Sequence, residues 1–276
     1  MRVLFENGAG HTTPGAPVAR FEHTYPVWPP PDALTRRWHL SDAGVLAATP
    51  PAQAGADRYA HDPEAGDTTF FGPRGYQLLT PLWDVAWSEF AEGDLVAYLT
   101  EPFDTDTVLA GPGQARLFVK SDAAEAQVQV TLTEVRPDGV EYLVQSGWLD
   151  LGHRAVDTAA STERRVRRTY TRADYAPLPV GEWVEASVSV PSFAHTFRAG
   201  SRLRLSISTP GRNHGLWTFE RPAQPAGLAI GRGPGRDSQL ILGELPGLDV
   251  PAGLPPCPAL RGQACRSYRA VTNTPD

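Results

Sequence analysis

At 276 residues, with 41% hydrophobic and 20% charged residues, the chain can bury a sizeable core and is not a disordered polymer. Its 27 prolines and 26 glycines are hostile to helix interiors and favour short strands joined by turns. A net charge of −6 supplies no global field for nucleic acid or an anionic membrane, and no apolar run approaches the roughly 20 residues of a bilayer crossing.

Residues 1–35 read as an arm. Pro14, Pro17, Pro26, Pro29, Pro30 and Pro31 forbid long regular structure, while Phe5, Phe21, Tyr25 and Trp28 supply apolar anchors. The first eight residues are not a signal peptide, since their apolar stretch is short and Glu6 follows at once; they read as an edge strand ending at the Asn7-Gly8 turn. Residues 36–276 read as one all-β domain. A short strand is expected at 37–40, and the stretch 47–75, rich in Pro, Gly and Asp, reads as a long ordered connector.

Further strands are expected at 95–100, 115–121 and 127–133. In the last of these Val128, Val130 and Leu132 alternate with polar residues, the period of a half-buried strand. Pro137-Asp138-Gly139 makes a turn, with Pro presetting φ and Gly tolerating φ > 0, and the chain returns along 140–145 as a hairpin. A second ribbon is expected from 183–190 and 202–208, with Leu203, Leu205 and Ile207 inward and Arg202 and Arg204 outward. The last strand is expected at 239–242. Long spans between strands suggest crossovers between two sheets, as in a jelly-roll β-sandwich.

Chemistry is sparse. No G-x-S-x-G elbow, zinc-protease histidine spacing or phosphate-binding loop occurs, so no catalytic residue, metal or cofactor is assigned. In Gly231-Arg232-Gly233-Pro234-Gly235 the proline removes an amide that a phosphate would need. His61 and His195 are the histidines to inspect first. The basic run Arg164, Arg165, Arg167, Arg168 and Arg172 reads as a solvated or partner-facing loop. Trp83, Trp87 and Trp217 are open to core packing or to sugar stacking, the second of which makes the chain a free-standing carbohydrate-binding module. Acidic groups such as Asp104 and Asp106, or Asp62, Glu64 and Asp67, have a spacing too common to assign calcium. Cys257 and Cys265 can form a local disulfide pinning the tail, which would place the protein outside the reducing cytosol, or remain free thiols in a Pro-rich segment.

From about residue 59 to 269 the order of motifs resembles the C-terminal domain of the X-Pro dipeptidyl-peptidase and cocaine-esterase (CocE/NonD) hydrolase family. The stretches are 59–63 (YAHDP), 99–103 (LTEPF) leading to 109–111 (LAG), 117–121 (LFVKS) and 132–139 (LTEVRPDG). They continue with Gly147-Trp148-Leu149 before His153-Arg154, then 177–182 (PLPVGE) and 197–208 (FRAGSRLRLSIS). Ser201 stands where that family commonly has His. The resemblance implies a galactose-binding-like jelly roll that accompanies an α/β-hydrolase domain, in cis or in trans, bearing a Ser-Asp-His triad that this sequence does not contain. It makes residues 1–35 the expected linker from that domain, with Met1 marking a truncation or internal start and the arm's aromatics packing on the partner. It also makes the loop carrying Phe70 and Phe71 the expected contribution to a substrate-pocket wall.

Overall fold

The computed structural model describes residues 1–12, 16, 18–63, 87–210, 222, 224–258 and 263–276. Among them the regular structure is β, interrupted by single 3-10 turns at Asp42–Gly44, Leu151–His153 and Arg172–Asp174. The strands are β1 (Arg2–Phe5), β2 (Phe21–Thr24), β3 (Leu34–Ser41), β4 (Val45–Ala47), β5 (Gly55–His61), β6 (Leu95–Leu99), β7 (Thr107–Ser121) and β8 (Gln127–Val135). They continue as β9 (Val140–Asp150), β10 (Trp183–Phe197), β11 (Arg202–Ser208), β12 (Ala226–Arg232), β13 (Gln239–Glu244), β14 (Cys265–Ser267) and β15 (Thr274–Pro275).

Two halves of one sheet path face each other as a sandwich. The first runs β14-β9-β8-β11-β6. The second runs β3-β13-β7-β12-β5-β15, with β10 on the other edge of β7. The halves meet through β4, which is antiparallel to β3 and touches β6 by one parallel pair, Val45 with Leu99. The alternating apolar residues meet between them. Val128, Val130, Leu132, Leu203, Leu205 and Ile207 come from the first half, and Leu117, Val119, Val188, Ile230 and Leu240 from the second, all within 1% of full burial. At about 25 cal/mol per Å² of apolar surface removed from water, this shared core is the dominant stabilising term.

The 137–139 turn forms as expected. Gly139 takes φ 80°, its amide bonds the carbonyl of Arg136 at 3.0 Å, and Asp138 accepts from the Val140 amide at 3.1 Å. Strands β7 and β10 are longer than their apolar cores suggest, because each supplies the other's backbone partners from Lys120–Trp183 to Thr107–Phe197. The register breaks between Val190 and Phe193, so Pro191 falls in a bulge, where its missing N–H disrupts no ladder. Strand β5 lies inside the stretch read as a connector. It is held by β12, a Gly-containing strand whose pairing runs Ala226–His61 to Arg232–Gly55.

Two expectations are corrected. Arg204 does not face solvent but is 1% exposed, because the outer face of β11 is covered by Glu89 and by the tail that carries Arg266 and Tyr268. The arm's aromatics do not await a partner. Strands β1 and β2 pair antiparallel, and Phe5 and Tyr25 are buried in a second small core with Val108, Ala110 and Leu245. Phe21 stacks on Phe5 at 4.7 Å, and Trp28 lies edge-on to Tyr25 at 5.8 Å. The hairpin finds apolar surface on β7 itself.

Gly147 lets β9 lie close against β10. A Cβ placed there would lie 2.1 Å from the carbonyl oxygen of Ser189, which is backbone and has little room to move. Gly147→Val is expected to cost about 1–3 kcal/mol by overpacking. Urea denaturation checks this, and an unchanged midpoint would show that the strands separate freely.

In the tail, Cys257 and Cys265 are bonded with Cα atoms 5.9 Å apart and a sequence separation of 8. Chain-entropy reasoning for so short a loop gives about 2.5 kcal/mol. The double variant Cys257→Ser, Cys265→Ser is expected to lose that much in urea titrations of the oxidised protein. Equal stabilities would assign the pair no structural role.

Candidate functional site

Strand register places one set of strand ends together. His61 pairs with Ala226, Leu95 with Ser208, Ser208 with Gln129, Gln127 with Asp150, and Ser121 with Leu228. The connections 62–94, 122–126, 151–182 and 209–225 therefore leave from one rim of the sandwich. Loops held on a rigid β scaffold are where such folds carry binding function. The expected pocket-wall residues Phe70 and Phe71 lie in the first of these connections and outside the described residues, as do Trp83 and Trp217.

A cavity of about 240 Å³ opens on this rim, lined by Glu125, Gln127, Asp150, His153, Tyr175 and Pro222. Asp150 accepts from the Gly152 amide at 2.8 Å, which starts the turn that projects His153. The His153 ring sits between Tyr170 at 6.0 Å and Tyr175 at 5.0 Å, at interplanar angles of 53° and 66°. These two tyrosines are the large exposed aromatics among the described residues. Their rings are tilted against the histidine rather than coplanar, so they do not form a flat stacking platform. Partial burial, with Asp150 and Glu125 nearby, pushes the Tyr175 phenol up, so it stays protonated and can donate. The site's chemistry is acidic and hydrogen-bonding. The individual residues carry no sequence signal beyond His153 following the Gly147-Trp148-Leu149 motif.

The two histidines singled out from sequence are structural. His61 is fully buried at the end of β5 and its Nε2 accepts from the Gln127 amide at 3.1 Å. Burial lowers its pKa, which keeps the ring neutral and fixes it as a clamp between β5 and β8. His195, on β10, meets the carboxylate of Glu134 on β8 at 2.9 Å. Beside them Arg198 reaches Glu6 of the arm and, at 3.3 Å, Asp106, whose other oxygen accepts from the Ala199 amide at 2.8 Å. Asp106 is thus spent on a turn.

Of the tryptophans open to sugar stacking, Trp87 lies under the guanidinium of Arg266 at 3.8 Å. The arginine run folds back on itself through the backbone bridges Val156–Arg168 and Thr162–Arg165. Among the described residues no cluster of three or more His, Cys, Asp or Glu is arranged for a metal ion, and no helix is long and apolar enough to cross a membrane.

Comparison with known proteins identifies the scaffold. The family profile of the X-Pro dipeptidyl-peptidase C-terminal non-catalytic domain matches residues 2–241. The chain belongs to this family. The match takes in the arm, and it ends before the disulfide-bonded tail. Among characterised relatives, cocaine esterase of Rhodococcus sp. (strain MB1 Bresler) is 25% identical over 198 residues, which is 66% of this chain and 31% of that enzyme. Among solved structures, a CocE/NonD family hydrolase from Staphylococcus aureus superposes with a TM-score of 0.63 at 17% identity, over 82% of this chain and 39% of that one. An α-amino acid ester hydrolase superposes with a TM-score of 0.56 at 19% identity, over 76% of this chain and 36% of that one. The X-Pro dipeptidyl-peptidase C-terminal domain described here thus spans only about a third of the length of the relatives it matches.

Proposed function

We propose that this chain is the accessory β domain of a serine hydrolase of the dipeptidyl-peptidase or esterase type. In this reading it packs against an α/β-hydrolase domain, in cis or in trans, and its loop rim forms one wall of that domain's substrate pocket. The single observation that carries the proposal is the family match over residues 2–241, to a domain described as non-catalytic and borne by hydrolases of which it occupies only a third. The clustering of four connections at one rim, three of them long, supports the wall role, and the connection carrying Phe70 and Phe71 remains our candidate for the contact with substrate. The domain contributes shape and solvent exclusion, while nucleophile, base and oxyanion hole come from the partner.

Intact-protein mass spectrometry of the native gene product tests the partnership. A species well above 29.8 kDa that ends in this sequence, or co-purification of an α/β-hydrolase chain, supports it. A 29.8 kDa species that purifies alone would overturn it. In the assembled enzyme, Phe70→Ala with Phe71→Ala is expected to raise KM for an apolar ester about tenfold, the scale of one lost apolar contact, without moving Tm. Unchanged kcat/KM would remove this loop from the pocket wall.

A further inference from the structure

The arginine run, which the rim cavity does not use, is held in a defined turn. Thr162 and Arg165 exchange both backbone hydrogen bonds, at 2.9 and 3.1 Å, and the Asp157 amide donates to the Arg167 carbonyl at 2.9 Å. Ser161 Oγ accepts from the Arg167 amide at 2.9 Å and donates to the Asp157 carbonyl at 2.7 Å. The turn is pinned to the second half of the sandwich. Gln114 of β7 donates to the Glu163 carbonyl at 2.5 Å, and Glu163 pairs with Arg37 of β3 at 2.6 Å. Arg164 lies over Gly243 of β13, where a Cβ would meet its guanidinium.

That frame sorts the arginines. Exposure alternates after the turn, with Arg165, Arg167 and Thr169 exposed and Val166 and Arg168 half-buried, which is the period of extended backbone. Arg168 turns inward, and its Nη1 donates to the Arg154 carbonyl at 3.3 Å. Arg165 and Arg167 therefore point outward on one side, roughly 6–7 Å apart at about 3.3 Å per residue. Among the described residues neither has an ion-pair partner, nor has the exposed Arg172 further along the same connection. The acids of this segment are engaged elsewhere. Asp157 accepts from the Ala159 and Ala160 amides at 3.1 Å, Glu163 holds Arg37, and Asp174 accepts from the Thr171 hydroxyl at 2.5 Å. Other surface arginines are neutralised, Arg2 by Glu22 and Arg36 by Glu244.

We propose that this turn is a docking site for an extended acidic polypeptide segment of another protein, with carboxylates two residues apart. In such a segment the carboxylates share one face at the spacing of Arg165 and Arg167, and the planar guanidinium takes a carboxylate through two parallel hydrogen bonds. The pinned backbone has already lost the freedom that a mobile basic loop surrenders on binding. Charge sets the kind of partner. The chain carries −6 overall, so a nucleic acid or sulfated polysaccharide, charged along its whole length, meets repulsion beyond the turn. A short acidic segment meets only the turn. This reading is independent of the hydrolase partnership.

Fluorescence anisotropy of a labelled short peptide that alternates glutamate and threonine, titrated with the 276-residue protein at low ionic strength, tests this. The expected result is saturable binding that weakens at least about tenfold when glutamine replaces glutamate, and that also weakens as salt screens the exposed charges. The double variant Arg165→Gln, Arg167→Gln is expected to weaken it about tenfold, the upper range for two exposed ion pairs, with Tm unchanged. Arg58→Gln, exposed on β5 and two strands away from β7, is expected to leave it unchanged. No binding, equal binding of the glutamine peptide, affinity unmoved by the double variant, an equal loss in Arg58→Gln, or tighter binding of heparin or single-stranded DNA in competition would each overturn the proposal.

Discussion

Arg204→Met is expected to lower the unfolding free energy by about 3–5 kcal/mol, the cost of stranding an ion-paired group away from water. The reason lies in what remains. Glu141 on β9 is fully buried and is held by Arg204 at 2.6 Å and by Arg266 of the tail at 2.8 Å, while Glu89 shares both arginines. The four charges balance, two against two, and removing one arginine leaves a net negative charge in a dry site. Burial pushes the Glu141 carboxyl up, but the two arginines outweigh it and hold it below the ordinary value of 4.5. Removing Glu141 as well, in Arg204→Met with Glu141→Leu, leaves the Arg266–Glu89 pair at 2.8 Å and restores neutrality. The double variant is therefore expected to be more stable than the single one. Urea denaturation of both variants reads this directly. A loss under about 1 kcal/mol for the single variant would mean the cluster behaves as an exposed pair.

Glu134→Ala is expected to cost about 3 kcal/mol at pH 7, the upper range for hydrogen bonds to a charged group. Burial pushes the Glu134 carboxyl up, but the hydrogen bond and charge of His195, together with the Arg198 amide at 3.3 Å, outweigh it and hold it below 4.5. An ionised carboxylate only accepts, so His195 Nε2 carries the proton in this pair. The sign of the pH dependence follows. A carboxyl whose folded pKa is depressed contributes stability that is complete above its unfolded value and is lost as pH falls through the folded one. Stability is thus shed below about pH 4.5 in the wild type and less steeply in Glu134→Ala. Glu6, raised by its burial despite Arg198 and Arg20, titrates with the opposite sign in the same network. For that reason the informative quantity is the difference between variant and wild-type urea midpoints from pH 7 to pH 3, not the wild-type curve alone. A difference that stays constant over that range would show that Glu134 has the same pKa folded and unfolded and would overturn this assignment.

Both clusters explain why sequence reading goes so far and no further. Period-two patterning in 127–133 and 202–208, the Pro137-Asp138-Gly139 turn and the order of family motifs were enough for the all-β class and the family, because side-chain alternation and turn φ angles are local properties of the chain. The same alternation misplaces Arg204. It correctly sends the side chain to the face opposite Leu203 and Leu205, but only the arrival of Glu89 and Arg266, 115 and 62 positions away in sequence number, turns that face into an interior. Likewise β5 and β12 each contain glycine and few strand-favouring residues, and they exist through each other's hydrogen bonds. The rim cavity gathers Glu125, Asp150, His153 and Tyr175 from separate connections. The tail lies across β6 only through Asn273, which bonds the backbone of Ala97 at 2.8 and 3.0 Å. By itself the sequence determined which faces are apolar, where the chain turns and which family it joins, all short-range or collinear signals. Only the tertiary structure decided which polar groups are taken out of water together, because burial and ion pairing depend on contacts between residues far apart in the chain.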